Sequence, residues 1–213
     1  METANEALLK VKKQLELNNF EVFIAADAAE AREVFENKIL SNLEISSASF
    51  ADSMTMLSTG ALEVLKHKAP VEFIDPFDAN EGMEGKIRQR KRALTVDLFL
   101  TGTNAITEKG QLVNLDMIGN RVGAITFGPT YVVLFVGKNK LVKDLDAAFH
   151  RIRTVAAPLN VKRHDKFKTP CQITGICDDC RSPHRICNTW TITEKSYPPK
   201  RIKIILIDQE MGL

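Results

Sequence analysis

No stretch of this sequence stays apolar for long. Its long apolar runs, such as residues 132–136 and 204–207, fall far short of the roughly 18 residues a membrane-spanning helix needs. They are expected to be buried strands, and no membrane partner is expected. The opening METANEALLKVKKQLE lacks an apolar core and a small-residue cleavage site, which argues against a secretory leader and for a cytoplasmic location. Net charge is nearly absent too. Lys and Arg number 29 against 27 Asp and Glu, giving +2, so no bulk attraction draws the chain to nucleic acid. The basic run Lys86, Arg88, Arg90, Lys91 and Arg92 has no interleaved aromatics and reads as a solvated helix face. A Walker lysine and a GxGxxG fingerprint are both missing, which disfavours a Rossmann-type dinucleotide site. No internal repeat or low-complexity segment stands out.

Cysteine is scarce and confined to one place. All four cysteines, Cys171, Cys177, Cys180 and Cys187, fall within CQITGICDDCRSPHRIC. Thiolates gathered in one loop-like stretch can converge on one ion or cluster, and the two-residue spacer between Cys177 and Cys180 lets both sulfurs face one point. Three readings compete: an iron–sulfur cluster, a zinc ion, and free thiols or disulfides. A second CxxC of the zinc-ribbon kind is absent, and a reducing cytosol disfavours disulfides. His184 lies between the last two cysteines, where it either replaces one as a ligand or is a solvated loop residue. His67, His150 and His164 have no metal-type spacing and read as surface or packing residues.

The 213 residues are enough to bury a sizeable core, and one domain over 1–213 is expected, with a cysteine-rich segment at 168–190. Thr3 and Glu6 form a capping-box pattern before Leu8, Val11 and Leu15 at helical spacing. Phe20, Val22 and Ile24 alternate as in a strand, and Asp27 with Glu30 caps a second helix carrying Ala31, Val34 and Phe35. The alternation continues with a strand at 45–48, helix in one or two pieces over 53–67, a strand at 71–74, helix at 86–93 and a buried strand at 96–100. Residues 111–114 and 122–127 read as a hairpin, and 131–136 as a buried strand. A strong helix then carries Leu141, Leu145, Ala148, Phe149, Ile152 and Val155, closed by Pro158. Strands at 190–193 and 202–207 follow, expected to extend one edge of the sheet, with Trp190 in the core. This order predicts an α/β fold with an open, mainly parallel sheet flanked by helices. Ligands of such sheets bind at strand carboxyl ends, which points to the loops after Ala48, Leu100 and Phe127.

The segment TGTNAITEKGQLVNLDMIGNRVGAITFGP is rich in Gly, Thr and Asn at such an end. Gly102 and Gly128 permit close backbone approach, while Thr101, Thr103, Asn104, Asn114 and Asn120 supply hydroxyl and amide groups for phosphate, carboxylate or carbonyl oxygens. Asn114 and Asn120 are equally good turn formers. Glu108 and Asp116 are the nearby carboxylates, candidate general bases if held in a cleft and ordinary solvated turn residues if not. Ser53 and Thr55 stand where a helix could begin, Ser53 as ligand contact or as N-cap.

The run VDLFLTGTNAITEKGQLVNLDMIGNRVGAITFGPTYVVLFVGKNKLV resembles the LUD domain, a lactate-utilisation family. The Thr-Gly-Thr block, Gly119-Asn120-Arg121, Gly128-Pro129 and Gly137-Lys138-Asn139-Lys140 carry the likeness, and Ser53-Met54-Thr55 matches an upstream Ser-x-Thr element. The resemblance covers nearly the whole chain and implies a fold similar to the sugar-phosphate isomerase and CoA-transferase group. It also implies oxidation of lactate to pyruvate beside iron–sulfur electron-transfer proteins, and the cysteines suggest a cysteine-containing subgroup. Residues 110–114 with Gly119 look, more weakly, like the phosphate-side loop of methylthioribose-phosphate isomerase. Three functions stay open at this point. They are organic-acid utilisation with an iron–sulfur cluster, an isomerase or acyl- or CoA-transferase-like enzyme with structural zinc, and a non-catalytic sensor or partner-binding subunit. A homodimer is the expected assembly.

Overall fold

The structure, a computed structural model, describes residues 4–68, 70–78, 80 and 82–213. The expected cap at Thr3 lies outside them. Helix α1 (Ala4–Leu17) buries Leu8, Val11 and Leu15 and leads into β1 (Glu21–Ala25). Asp27 caps α2 (Ala28–Val34), its side chain accepting the Glu30 amide at 2.9 Å, while the Glu30 carboxylate accepts the Ala26 amide at 2.7 Å. These reciprocal bonds satisfy helix-start donors that would otherwise be orphaned. Next come β2 (Ser47–Phe50), α3 (Met54–Thr59), α4 (Ala61–Lys66), β3 (Glu72–Ile74), α5 (Met83–Arg92) and β4 (Leu98–Thr101). Gly60, at φ +74°, splits the expected 53–67 helix into α3 and α4.

β5 (Ala105–Thr107) and β6 (Leu112–Asp116) form a hairpin, followed by α6 (Asn120–Thr126), β7 (Tyr131–Gly137) and β8 (Leu141–Val142). α7 (Leu145–Arg151) passes through a π-helical segment, Ile152–Ala156, into α8 (Ala157–Lys162). The short α9 (Pro170–Thr174), β9 (Thr189–Thr193) and β10 (Ile202–Ile207) complete the order.

Six parallel strands form the main sheet in the order β1-β10-β7-β4-β2-β3. Its continuous apolar runs are buried on both faces because strand side chains alternate. Phe99, Val132, Leu134, Val136, Ile204 and Leu206 pack with α1 on one face. Leu98, Leu100, Val133, Phe135, Ile205 and Ile207 pack with α2 and α4 on the other. A smaller sheet, β8-β5-β6-β9, carries a third cluster in which Val113 and Leu115 meet Ala148 and Ile152, with Trp190 packed against it. Phe149 meets Trp190 edge to face at 4.9 Å. The α/β class and the parallel sheet expected from the sequence are therefore present.

Four local expectations need correction. Residues 122–127 are helical, not the second arm of a hairpin. Gly119 at φ +89° turns the chain, the Asp116 carboxylate takes the Val122 amide at 3.1 Å, and Val122 and Ile125 fall on one buried face. Arg201 then donates to the Ala124 and Ile125 carbonyls at 2.8 and 2.7 Å, holding the far end of α6. β10 sits between β1 and β7 rather than at an edge, which accounts for its complete burial. Leu141 belongs to β8, and the helix starts only after Asp144, whose side chain accepts the Ala147 amide at 2.9 Å. Pro158 does not close that helix. It lies just past the π-helical segment, and the helix runs on through it into α8.

Candidate functional site

A cavity of about 460 Å³ opens at the carboxyl ends of the main-sheet strands. The loop after β2 contributes Asp52 and Ser53, that after β4 Gly102, Thr103 and Asn104, and that after β7 Lys140. α5 faces it with Met83, Lys86, Ile87 and Arg90, residues spaced at one helical face. α6 adds Asn120 and Arg121, and Arg163 and His164 come from just after α8. Two of the three loops expected from the sequence are thus in place. The third lies after β7, since Phe127 ends a helix.

The floor is a network built by short polar residues around one guanidinium. Arg121 donates to the Gly102 carbonyl at 3.2 Å, Asn114 Oδ1 at 2.6 Å, Asn104 Oδ1 at 2.9 Å and the Leu115 carbonyl at 3.0 Å. Asn114 Oδ1 also accepts the Thr103 hydroxyl at 3.1 Å and the Asn104 amide at 3.2 Å. Gly102 is required by contact: a Cβ there would stand 2.5 Å from Ser53 Oγ and 3.2 Å from the Phe135 carbonyl. Ser53 caps α3 through the Met56 amide and also lines the cavity.

Other candidates fall outside the cavity wall. Thr55, Thr101 and Asn114 are completely buried behind it. Thr101 Oγ1 and Asn114 Nδ2 are buried and, among the described residues, have no hydrogen-bond partner. Gly128, expected as a ligand contact, instead meets packing demands: at φ +130° a Cβ would lie 2.5 Å from the Leu94 carbonyl. Glu108, expected as a base, is half exposed on the turn between β5 and β6. It pairs with Lys10 of α1 at 3.3 Å, away from the cavity. Asp116 does line the cavity, but its two oxygens accept the Met117 and Val122 amides at 2.7 and 3.1 Å. With Arg121 Nε 3.7 Å away, its contacts build a helix start rather than a proton-transfer station.

Cations dominate the remaining wall. Lys140 is 5% exposed, and burial first, then the charges of Arg151 and Arg121, pull its pKa down to about 7. Burial also lowers the pKa values of Arg121 and Arg90, with Asp116 opposing the shift in both. Arginine keeps its proton regardless, so the consequence is poorly hydrated positive charge. Arg90 Nε is buried and, among the described residues, has no hydrogen-bond partner. Lys86, Arg90, Arg121, Lys140 and Arg163 are absent from the candidates the sequence singled out. For α5 the usable signal was the spacing of residues 83, 86, 87 and 90, whereas charge composition alone suggested a solvated face.

The cysteine loop forms a second, small cavity of about 20 Å³ lined by all four thiols with Thr169, Asp178, Asp179, Arg185 and Ile186. Arg185 holds the loop's shape by donating to the carbonyls of Asp179, Cys180 and Cys187 at 3.2, 2.6 and 2.8 Å. His184 Nδ1 accepts the Lys168 amide at 3.0 Å, and the ring does not line the thiol cavity. Burial, reinforced by Cys177 and Cys171, pushes the Cys187 thiol up to about 11. As they stand, the thiols surround a space without closing a ligand sphere: among the described residues no group of three or more His, Cys, Asp or Glu is arranged to hold a metal ion. Ile186 and Cys187 line both cavities, so the cysteine loop folds against the ligand cavity rather than on the far side of the molecule.

A family model described as LUD domain matches residues 8–207. The crystal structure of a DUF162 family protein from Deinococcus radiodurans superposes with a TM-score of 0.53 at 12% identity, over 96% of this chain and 98% of that one. At that identity the likeness speaks to the fold. No curated protein matches the chain. Among the described residues, no helix is long and apolar enough to cross a membrane.

Proposed function

The chain belongs to the LUD domain family, and we propose on that premise that it serves organic-acid utilisation, taking a small anionic ligand such as lactate into the larger cavity. The observation that carries this reading is the excess of basic side chains there, of which Arg121 and Lys140 are largely removed from water. Among the described residues that line it, Lys86, Arg90, Arg121, Lys140 and Arg163 stand against the carboxylates of Asp52 and Asp116. Arg163 holds Asp52 at 3.0 Å, and Asp116 lies beside Arg121. Among the described residues, neither Arg90 nor Lys140 has a hydrogen-bonded carboxylate. A ligand carboxylate supplies what Arg90 lacks, and the volume lies within the roughly 300–1,000 Å³ usual for small-molecule sites.

Cys171, Cys177, Cys180 and Cys187 would hold an iron–sulfur cluster, or alternatively zinc. Four sulfur donors around one small cavity, with His184 turned to a backbone amide, are the soft donor set both groups favour. When bound, a cluster supplies one-electron chemistry beside the ligand. Cys187 and Ile186 separate the two cavities, while Arg185 keeps the loop folded with the thiols inward. The same reading puts the protein in a reducing cytoplasm, where its four unpaired thiols are stable, with iron–sulfur electron-transfer proteins as partners.

Anaerobic purification followed by iron, sulfide and zinc analysis tests the redox part, and a colourless protein containing only zinc would sink it. Thermal shift against lactate, other organic acids and sugar phosphates tests the ligand part through mass-action stabilisation. Stabilisation by small carboxylates supports it, and stabilisation by sugar phosphates alone transfers the site to isomerase-type chemistry.

A further inference from the structure

Lys140 is an unusual lysine because nothing around it accounts for its charge. It is 5% exposed, lines the ligand cavity and, among the described residues, pairs with no carboxylate. The charges set against it are cationic, Arg151 from α7 and Arg121 from α6. Among the described residues its one hydrogen bond is to Thr55 Oγ1 at 2.8 Å. That hydroxyl already donates to the Met211 carbonyl at 3.0 Å, so the bond from Lys140 uses an amine hydrogen and leaves the nitrogen lone pair uncommitted. A buried lysine serving only as packing would be expected to carry a counter-charge, because an unpaired buried ammonium is costly. Here the surroundings favour the neutral amine, which is the nucleophilic form.

We propose that Lys140 captures a carbonyl compound covalently, its Nζ forming a reversible imine with a small α-keto acid seated in the cavity. This rests on the reading of the cavity as an organic-acid site and names the class of acid. The amine lone pair forms a bond to the keto carbon while the carbonyl π pair moves to oxygen. A proton passing from nitrogen to that oxygen gives a carbinolamine. Loss of the hydroxyl as water, with a further proton from nitrogen, leaves the imine, so amine plus ketone yield imine plus water with no change of oxidation state. The carboxylate of such an acid complements Arg90, whose Nε has no hydrogen-bond partner among the described residues, and the field of Arg121. An α-hydroxy acid would occupy the same site without a carbon for the amine to attack, so the two oxidation levels of one acid would be held differently.

The test incubates the full chain with pyruvate and sodium cyanoborohydride at neutral pH, followed by intact mass and peptide mapping. An amine with a pKa of about 7 is half neutral at pH 7, whereas one near 10.5 is neutral in only about one molecule in three thousand. On that difference alone, reduction onto Lys140 should run roughly a thousandfold faster than onto an ordinary solvated lysine. Excess lactate should slow it, and Lys140→Arg or Lys140→Met should abolish it. Labelling of Lys140 no faster than that of the solvated lysines overturns the proposal. If lactate and pyruvate both stabilise the wild-type protein yet Lys140 stays unlabelled, imine formation fails and the acid-binding reading stands. If no small carboxylate stabilises the protein and no labelling occurs, both fail together.

Discussion

Arg121 gathers four acceptors from the loop after β4 and from β6, so its side chain is a strut as much as a charge. Arg121→Met would strand those acceptors and leave Asp116 without its neighbouring cation. Each stranded buried acceptor costs about 1–3 kcal/mol and a broken buried pair about 3–5. Because some of these groups regain water, a total loss of about 3–5 kcal/mol in urea unfolding is expected; a change below about 1 would contradict the network. Lys140 gives a pH signature. Its proton leaves near pH 7 in the folded chain and near 10.5 in the unfolded one, so the unfolded chain binds more protons between these values. Stability attributable to this residue must therefore rise with pH through that window. Measured from about pH 6.5 to 9, the advantage of wild type over Lys140→Met should grow, and a pH-independent difference would show that the lysine is not held neutral. Gly102, Thr103 and Asn104 were legible in the sequence as cavity residues, because Gly and short polar side chains after a buried strand have few other uses. Arg90 and Lys140 were not, since a lysine or arginine looks the same in sequence whether its end meets solvent or a cavity.

Helices announced by caps and spacing were read at the right places, as Asp27 with Glu30 illustrates for α2. Short apolar runs were ambiguous at the element level. Residues 122–127 fit a strand pattern, and only the tertiary partners Asp116 and Arg201 decide for helix. Pro158 was a poor stop signal, since the helix runs on through it directly after the π-helical segment. β10 poses the sharpest element-level question, since a strand arriving last in the chain has no sequence mark saying that it belongs inside the sheet. Its position there makes Ile205 a core residue packed with α2 and α4. Ile205→Ala should cost about 2–5 kcal/mol by chemical denaturation with unchanged cooperativity. A loss under about 1 kcal/mol would be the value for a poorly covered edge.

The molecule brings two features far apart in sequence, the polar loops after β2 and β4 and the cysteine loop, to one place. The sequence disclosed each feature but not their adjacency, which depends on α7 and α8 carrying the chain back across the strand ends. Adjacency makes Cys187 different from its companions. Cys187→Ser and Cys180→Ser should both lower the metal content of anaerobically prepared protein, but only Cys187→Ser should also weaken acid binding several-fold, as read by thermal shift. Equal effects on binding would mean that the two cavities are not coupled through that wall. The charge balance acts at the same scale: a chain with a net charge of only +2 gathers five Lys and Arg side chains on one cavity. Calorimetric titration of lactate and pyruvate into wild type and Arg90→Met measures the effect of that gathering directly. A hydrogen bond to a charged group is worth about 1.5–3 kcal/mol, so the variant should bind roughly tenfold to a hundredfold more weakly while melting near the wild-type temperature. Equal binding by the two proteins, or no binding by the wild type, would contradict the assignment of this cavity to an organic acid.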